Sequence, residues 1–211
     1  MINSQYHARF IIMKKVKIPS YLREYAHDLT ERRIELNRER YEGTHKQRTG
    51  VTTSALFGGE VDREYYTEYI GILAELLTRH YYEWNPIYTS YEVSTFLKDP
   101  SIVRDDIDLS VVKNGNRQTI SIKACEKSLK ANKRAMDRED ADIVVFILFT
   151  SESEYIVEHF TPAEVQEWKV RYGYSPYYDL SLSKLQKLND EDTRRYQPSD
   201  EGNSRPTDSK E

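Results

Sequence analysis

Cysteine is nearly absent from this sequence, with a single residue, Cys125, in 211. An internal disulfide framework and a thiolate-built zinc site each need at least two thiols, so both are excluded. Long apolar runs are missing as well. No stretch of about 18 apolar residues occurs, so no membrane-spanning helix is expected. Met1 is followed by polar residues rather than by a basic start and a greasy segment, so a secretory signal is not expected and the location is read as cytoplasmic. Histidine is scarce and scattered: His7, His27, His45, His80 and His159 show no ligand-like spacing. Glycine (8) and proline (7) are sparse, and 38% of residues are hydrophobic, which describes a globular chain with one substantial core.

The formal net charge of -4 argues against a polyanion binder, but that average hides a strong asymmetry. Residues 1–50 carry a net of +5, and residues 189–211 a net of -3. The latter stretch, NDEDTRRYQPSDEGNSRPTDSKE, has almost nothing apolar to bury and reads as a disordered acidic tail. The expected folded unit is therefore a single domain over 1–188, with an N-terminal helical part over 1–60.

Local patterns place the elements. A helix is expected from Pro19 to Glu42, on the surface because its apolar face is incomplete. Gly43 to Ser54 reads as a mobile polar loop. From Asp62 to Glu83, Tyr65, Tyr69, Ile72, Leu73, Leu76, Leu77, His80 and Tyr81 recur at helical spacing and demand a core to pack on. Beyond Asn85-Pro86 the period turns towards 2. Strands are expected at Ile87–Val93, Ile107–Val112, Thr119–Ala124, Ala141–Thr150 and Tyr155–Phe160. Ala141–Thr150 is apolar on both parities, as in a strand covered on both faces. Thr161-Pro162-Ala163-Glu164 signals a helix start, and Leu180–Leu188 a last strand or helix.

The chemistry concentrates on one hairpin. Asn114-Gly115 is the strongest turn signal in the chain, and a two-residue loop there pairs residues whose numbers sum to 229. Asp108 then lies opposite Ser121, and Asp106 opposite Lys123, all four on one face, while Ile107, Leu109, Val111, Ile120 and Ile122 face the core. Hard carboxylate oxygens beside an ammonium are what metal-dependent hydrolysis uses. A surface Asp–Lys pair across two strands is equally easy to build and contributes only about a few tenths of a kcal/mol, so the hairpin alone does not decide function.

The order of parts adds to it: a long amphipathic helix carrying Glu75, then RDDIDLSVV, a turn, ISIKA, a basic segment and a buried strand. In that order the chain resembles the PD-(D/E)XK nuclease superfamily, the fold of many restriction endonucleases. The resemblance covers about residues 62–150 and matches Asp108 to the motif's Asp and Lys123 to its Lys. Ser121 stands where the general pattern has an acid. A subset of restriction enzymes is more similar, reading Ser/Thr-x-Lys with the missing acid moved to a following helix. Fourteen residues beyond Lys123 lies Asp137, with Glu139 and Asp140 close behind.

The resemblance implies an α/β, restriction-endonuclease-like fold, a central mixed β-sheet of about five strands flanked by helices. It implies a Mg2+-dependent type II restriction endonuclease that hydrolyses double-stranded DNA as a homodimer. Asp108 and Asp137 would be the metal ligands, with Glu139 and Asp106 in reserve. Lys123 would orient the attacking water, and Ser121 would support it. Glu75 is a weaker catalytic candidate, because an ion pair with Arg79 one turn on explains it as well. The stretch from Lys123 to Arg138 carries a net of +4. If residues 126–138 are helical, Lys127, Lys130, Arg134 and Arg138 share a face that could follow phosphates, with Lys133 nearby. Two rivals stay open: a nucleic-acid-binding protein on the same fold with a decayed site, and a repair or resolvase-like nuclease. Cys125 reads as a small buried thiol, and Tyr65, Tyr69 and Tyr81 as packing residues.

Overall fold

The structure, a computed structural model, describes residues 15–40, 50–84, 88–98, 108–113, 116–181 and 183–184. Its centre is a five-stranded mixed sheet in the order β1 (Val16–Lys17), β8 (Glu154–Phe160), β7 (Ile143–Ser151), β5 (Asn116–Glu126), β4 (Leu109–Lys113). Neighbouring strands are antiparallel except β5 and β7, which run parallel. The α/β class and the five-stranded mixed sheet flanked by helices are as expected.

The apolar parities of β7 explain the layering. Val145, Ile147 and Phe149 point into one core, shared with α1 (Ser20–Arg40) and α2 (Arg63–Tyr81). Val144, Phe146 and Leu148 point into a second core, closed by α5 (Pro162–Gln166) and a three-stranded sheet of β6 (Ser128–Asn132), β10 (Tyr177–Ser181) and β9 (Lys169–Arg171). Successive strand residues face opposite sides, so one continuous apolar run seeds two cores. A two-stranded ribbon of β2 (Val51–Ser54) and β3 (Gly59–Asp62) leads into α2, whose first turn is capped by the Asp62 carboxylate accepting from Tyr65 N (2.9 Å).

Several expectations need correction. The Ile87–Val93 strand is replaced by a helix, α3 (Ser90–Phe96): Thr89 and Glu92 form a capping box, and these reciprocal bonds outweigh the β-rich composition. A helix over 126–138 is not formed. Leu129 and Ala131 are buried while Lys130 and Asn132 are exposed, a period of two, and β6 is the result; only Lys133–Met136 are helical, as α4. α1 is no mere surface helix, since Leu22, Ala26, Leu29 and Ile34 are buried. Of the expected Gly43–Ser54 loop, residues 43–49 lie outside the described residues and Val51–Ser54 form β2; the N-terminal part expected to be helical also holds β1 and the start of β3. Tyr81 and His80 are exposed, edge-on to Tyr82 and Tyr21 instead of packed in the core, whereas Tyr69 is buried. Asn114, Gly115, Leu188 and the 189–211 stretch lie outside the described residues. Leu180 belongs to β10.

Candidate active site

The β4–β5 register is the one anticipated. Leu109 pairs with Ile120, Val111 with Gln118 and Lys113 with Asn116. Asp108, one residue before β4, continues the ladder: its N–H donates to Ile120 O (3.0 Å), and its Oδ2 accepts the Ile122 N–H (2.5 Å). The half-buried carboxylate is thus held against β5 by a backbone N–H.

On β5, Ser121 is fully buried and its Oγ accepts a bond from Lys123 Nζ (2.6 Å). The same ammonium lies 3.5 Å from Glu139 Oε2, and the Glu139 side chain is only 2% exposed. Glu139 follows α4, whose last turn continues through Glu139 N donating to Met136 O (3.2 Å). The acid brought to Lys123 is therefore Glu139. Asp137 is turned to a different neighbourhood: Tyr178 Oη donates to its Oδ1 (2.7 Å) and Lys133 Nζ to its Oδ2 (2.5 Å), and these two bonds hold its pKa below the usual carboxylate range. Asp106, the reserve ligand, lies outside the described residues.

Glu75 is the other acid drawn in. It sits on the core side of α2, 2% exposed, with Oε1 accepting from Ser90 Oγ (2.7 Å) and Oε2 from Tyr91 N (3.4 Å). Burial, then the negative charge of Asp108, pushes its pKa up to about 8. The expected pair with Arg79 gives way to another arrangement, since Arg79 Nη1 bonds Glu92 Oε2 at 2.7 Å. Gly71 one turn earlier lets Tyr91 close in; a methyl there would fall 2.6 Å from the Tyr91 hydroxyl.

The basic residues are spread over three kinds of backbone instead of one helical face. Lys127 occupies the β5–β6 turn at φ 68°, Lys130 points outward from β6, and Lys133 and Arg134 lie on α4, with Arg138 exposed just beyond. Cys125 is buried and its thiol pKa is raised to about 11 by that burial. A cavity of about 750 Å³ lined by Tyr21, Arg79, His80, Trp84, Glu92 and Tyr155 lies at the C-terminal end of α2 and includes none of Asp108, Lys123 or Glu139.

The arrangement thus offers a lysine held between a hydroxyl and a buried carboxylate, with a second buried carboxylate feeling Asp108. Among the described residues, no three His, Cys, Asp or Glu side chains are grouped closely enough to form a ready ligand set. Nor is any described helix long and apolar enough to cross a membrane. No family model, curated protein or solved structure matches the chain.

Proposed function

We propose that this protein is a divalent-metal-dependent endonuclease that hydrolyses DNA phosphodiester bonds, similar in its site to PD-(D/E)XK restriction enzymes. The observation that carries the reading is the β4–β5 register: it sets Asp108 against the same strand that presents Lys123, and Lys123 in turn reaches Glu139. An aspartate, a lysine and a later acid thus come from three segments, as the Ser-x-Lys variant of that motif would need.

The residues fit a magnesium ion in chemistry, since Asp108, Glu139 and Glu75 offer hard oxygens. Burial and, after it, the charge of Asp108 raise the proton affinity of Glu75, as expected of acids gathered without a countercharge. Asp108 and Glu139 would hold the ion, with Glu75 as a further acid coupled to Asp108. Bound there, magnesium would supply Lewis acidity and lower the pKa of a coordinated water. The chain's own part is positional. Ser121 and Glu139 fix the Lys123 ammonium, which orients the nucleophile or counters charge on the scissile phosphate. Asp108 is kept in place by the Ile122 N–H.

A type II restriction enzyme acting on a palindrome would work as a homodimer. A second reading is favoured by Ser121 at the usual acid position and by the lack of a ready three-ligand group among the described residues: a DNA-binding protein whose site has decayed. Incubation of plasmid DNA with Mg2+ separates the two. The nuclease reading expects cleavage that is lost in Asp108→Ala and Lys123→Ala with binding retained. Intact plasmid with wild-type protein in Mg2+, Mn2+ and Co2+ alike would overturn it in favour of the binder.

A further inference from the structure

The three-stranded sheet has an inner and an outer face. Leu129, Ala131, Tyr178 and Leu180 fill the inner one. The register lines up the outer face in two rows: Lys130, Asp179 and Lys169 in one, Asn132, Tyr177 and Arg171 in the next. Three basic side chains meet a single acid there, and Asp179 is already engaged, accepting from Ser128 Oγ (2.8 Å) and lying 3.5 Å from Arg171 Nε. Lys130 Nζ lies 5.3 Å from the centre of the Tyr177 ring. The face therefore keeps a net positive charge around an aromatic ring.

The β9–β10 loop extends this face. Tyr172 and Tyr174 are 86% and 108% exposed, the most exposed large hydrophobic residues described. The loop is anchored all the same, because Pro176 O accepts the Lys133 N–H (3.0 Å). Two tyrosines held out in water, the first directly after Arg171, forgo the burial that normally rewards an aromatic ring. A polymer that offers both phosphates and stackable rings meets both features: cations track its backbone while the tyrosines take its bases. A paired duplex hides its ring faces, so the bases must be unpaired.

We infer that the outer face of β6–β10–β9, with Tyr172, Tyr174 and Tyr177 among Lys130, Lys169 and Arg171, binds a single-stranded stretch of DNA. The choice of DNA rests on the proposed function, but the binding does not require hydrolysis. Since β6 and α4 connect Lys123 to Glu139, this face is built from the segment that completes the candidate site.

The test is fluorescence anisotropy in EDTA with a labelled oligothymidylate of about sixteen nucleotides and a base-free deoxyribose-phosphate oligomer of equal length. Wild type should bind the oligothymidylate at least about tenfold more tightly than the base-free oligomer. The double variant Tyr172→Ala/Tyr174→Ala should erase that preference while leaving the affinity for the base-free oligomer and the thermal midpoint unchanged. Lys130→Ala/Lys169→Ala should weaken both. Equal affinity for the two oligomers, absence of binding, or a preference that survives the tyrosine variant would overturn the inference. Asp108→Asn, run in parallel, should keep the preference; the plasmid assay can therefore fail while this result stands, and the reverse.

Discussion

The core beneath α1 and α2 and the outer face of the small sheet present their charge in opposite ways. On the α1/α2 side the ionisable group of interest is buried: Glu75 lies beneath α3 and feels Asp108. On the other side the small sheet displays cations and tyrosines to solvent. Burying an acid raises its cost and sharpens its chemistry, whereas exposed cations are cheap and long-ranged. In the proposed function the exposed cations would attract DNA, while the buried acids would serve the chemistry. One segment, from Lys123 through β6 and α4 to Glu139, would belong to both.

The strongest way to break this division is at its hinge. Asp108→Ala or Lys123→Ala should lower DNA cleavage by about a thousandfold or more while changing the DNA dissociation constant by less than about threefold, as measured by plasmid nicking and anisotropy. A parallel loss of binding would mean that the two regions are not separable.

Next in size is the comparison of two acids only two positions apart. Glu139→Gln should cost about a hundredfold in cleavage, whereas Asp137→Asn should stay within about threefold, because Asp137 faces Lys133 and Tyr178. The reverse order would return the ligand to Asp137.

Sequence reasoning reached most of this and stopped for identifiable reasons. The hairpin register followed from Asn114-Gly115 and the alternation of Leu109, Val111, Ile120 and Ile122, because a two-residue turn leaves strand pairing no freedom. The double parity of Val144 to Phe149 announced a central strand. Choosing between Asp137 and Glu139 was beyond a residue count, since it depends on whether residues 126–138 are helical. Leu129 and Ala131 alternate with polar residues and form a strand, which changes where each later acid points. Thr89-Ser-Tyr-Glu92 carried its capping signal in plain view, but neighbouring tyrosines and valine suggested a strand. Glu75 was missed as a neighbour of Asp108 because the segment that bonds it, Ser90 and Tyr91, reads as a strand rather than as α3.

A smaller effect probes the buried side alone. Glu75 has its pKa raised to about 8 in the folded state, so the folded protein holds a proton that the unfolded chain has lost between the ordinary carboxylate range and about pH 8. Stability should therefore fall as pH rises across that window. Glu75→Gln should remove the dependence, gaining about 1–3 kcal/mol over wild type at pH 9 and nothing near pH 4 by chemical denaturation. A flat difference across pH would show that Glu75 is not protonated in this way.

The smallest expected change concerns the exposed side. Lys127→Ala and Arg134→Ala should each weaken DNA binding by about threefold and reduce the slope of log affinity against log salt by about one, with cleavage per bound complex unaltered. A change in the cleavage step would place these residues inside the chemistry.

The central proposal is that Asp108 and Glu139 would hold a cation beside Lys123, and calorimetric titration of the metal-free protein with Mg2+ in two buffers of different ionisation enthalpy tests it most directly. Binding of one ion with proton release near pH 7, lost in Asp108→Asn and kept in Asp137→Asn, is the predicted result. Heat that is absent from wild type, or that persists in Asp108→Asn and disappears in Asp137→Asn, would contradict it.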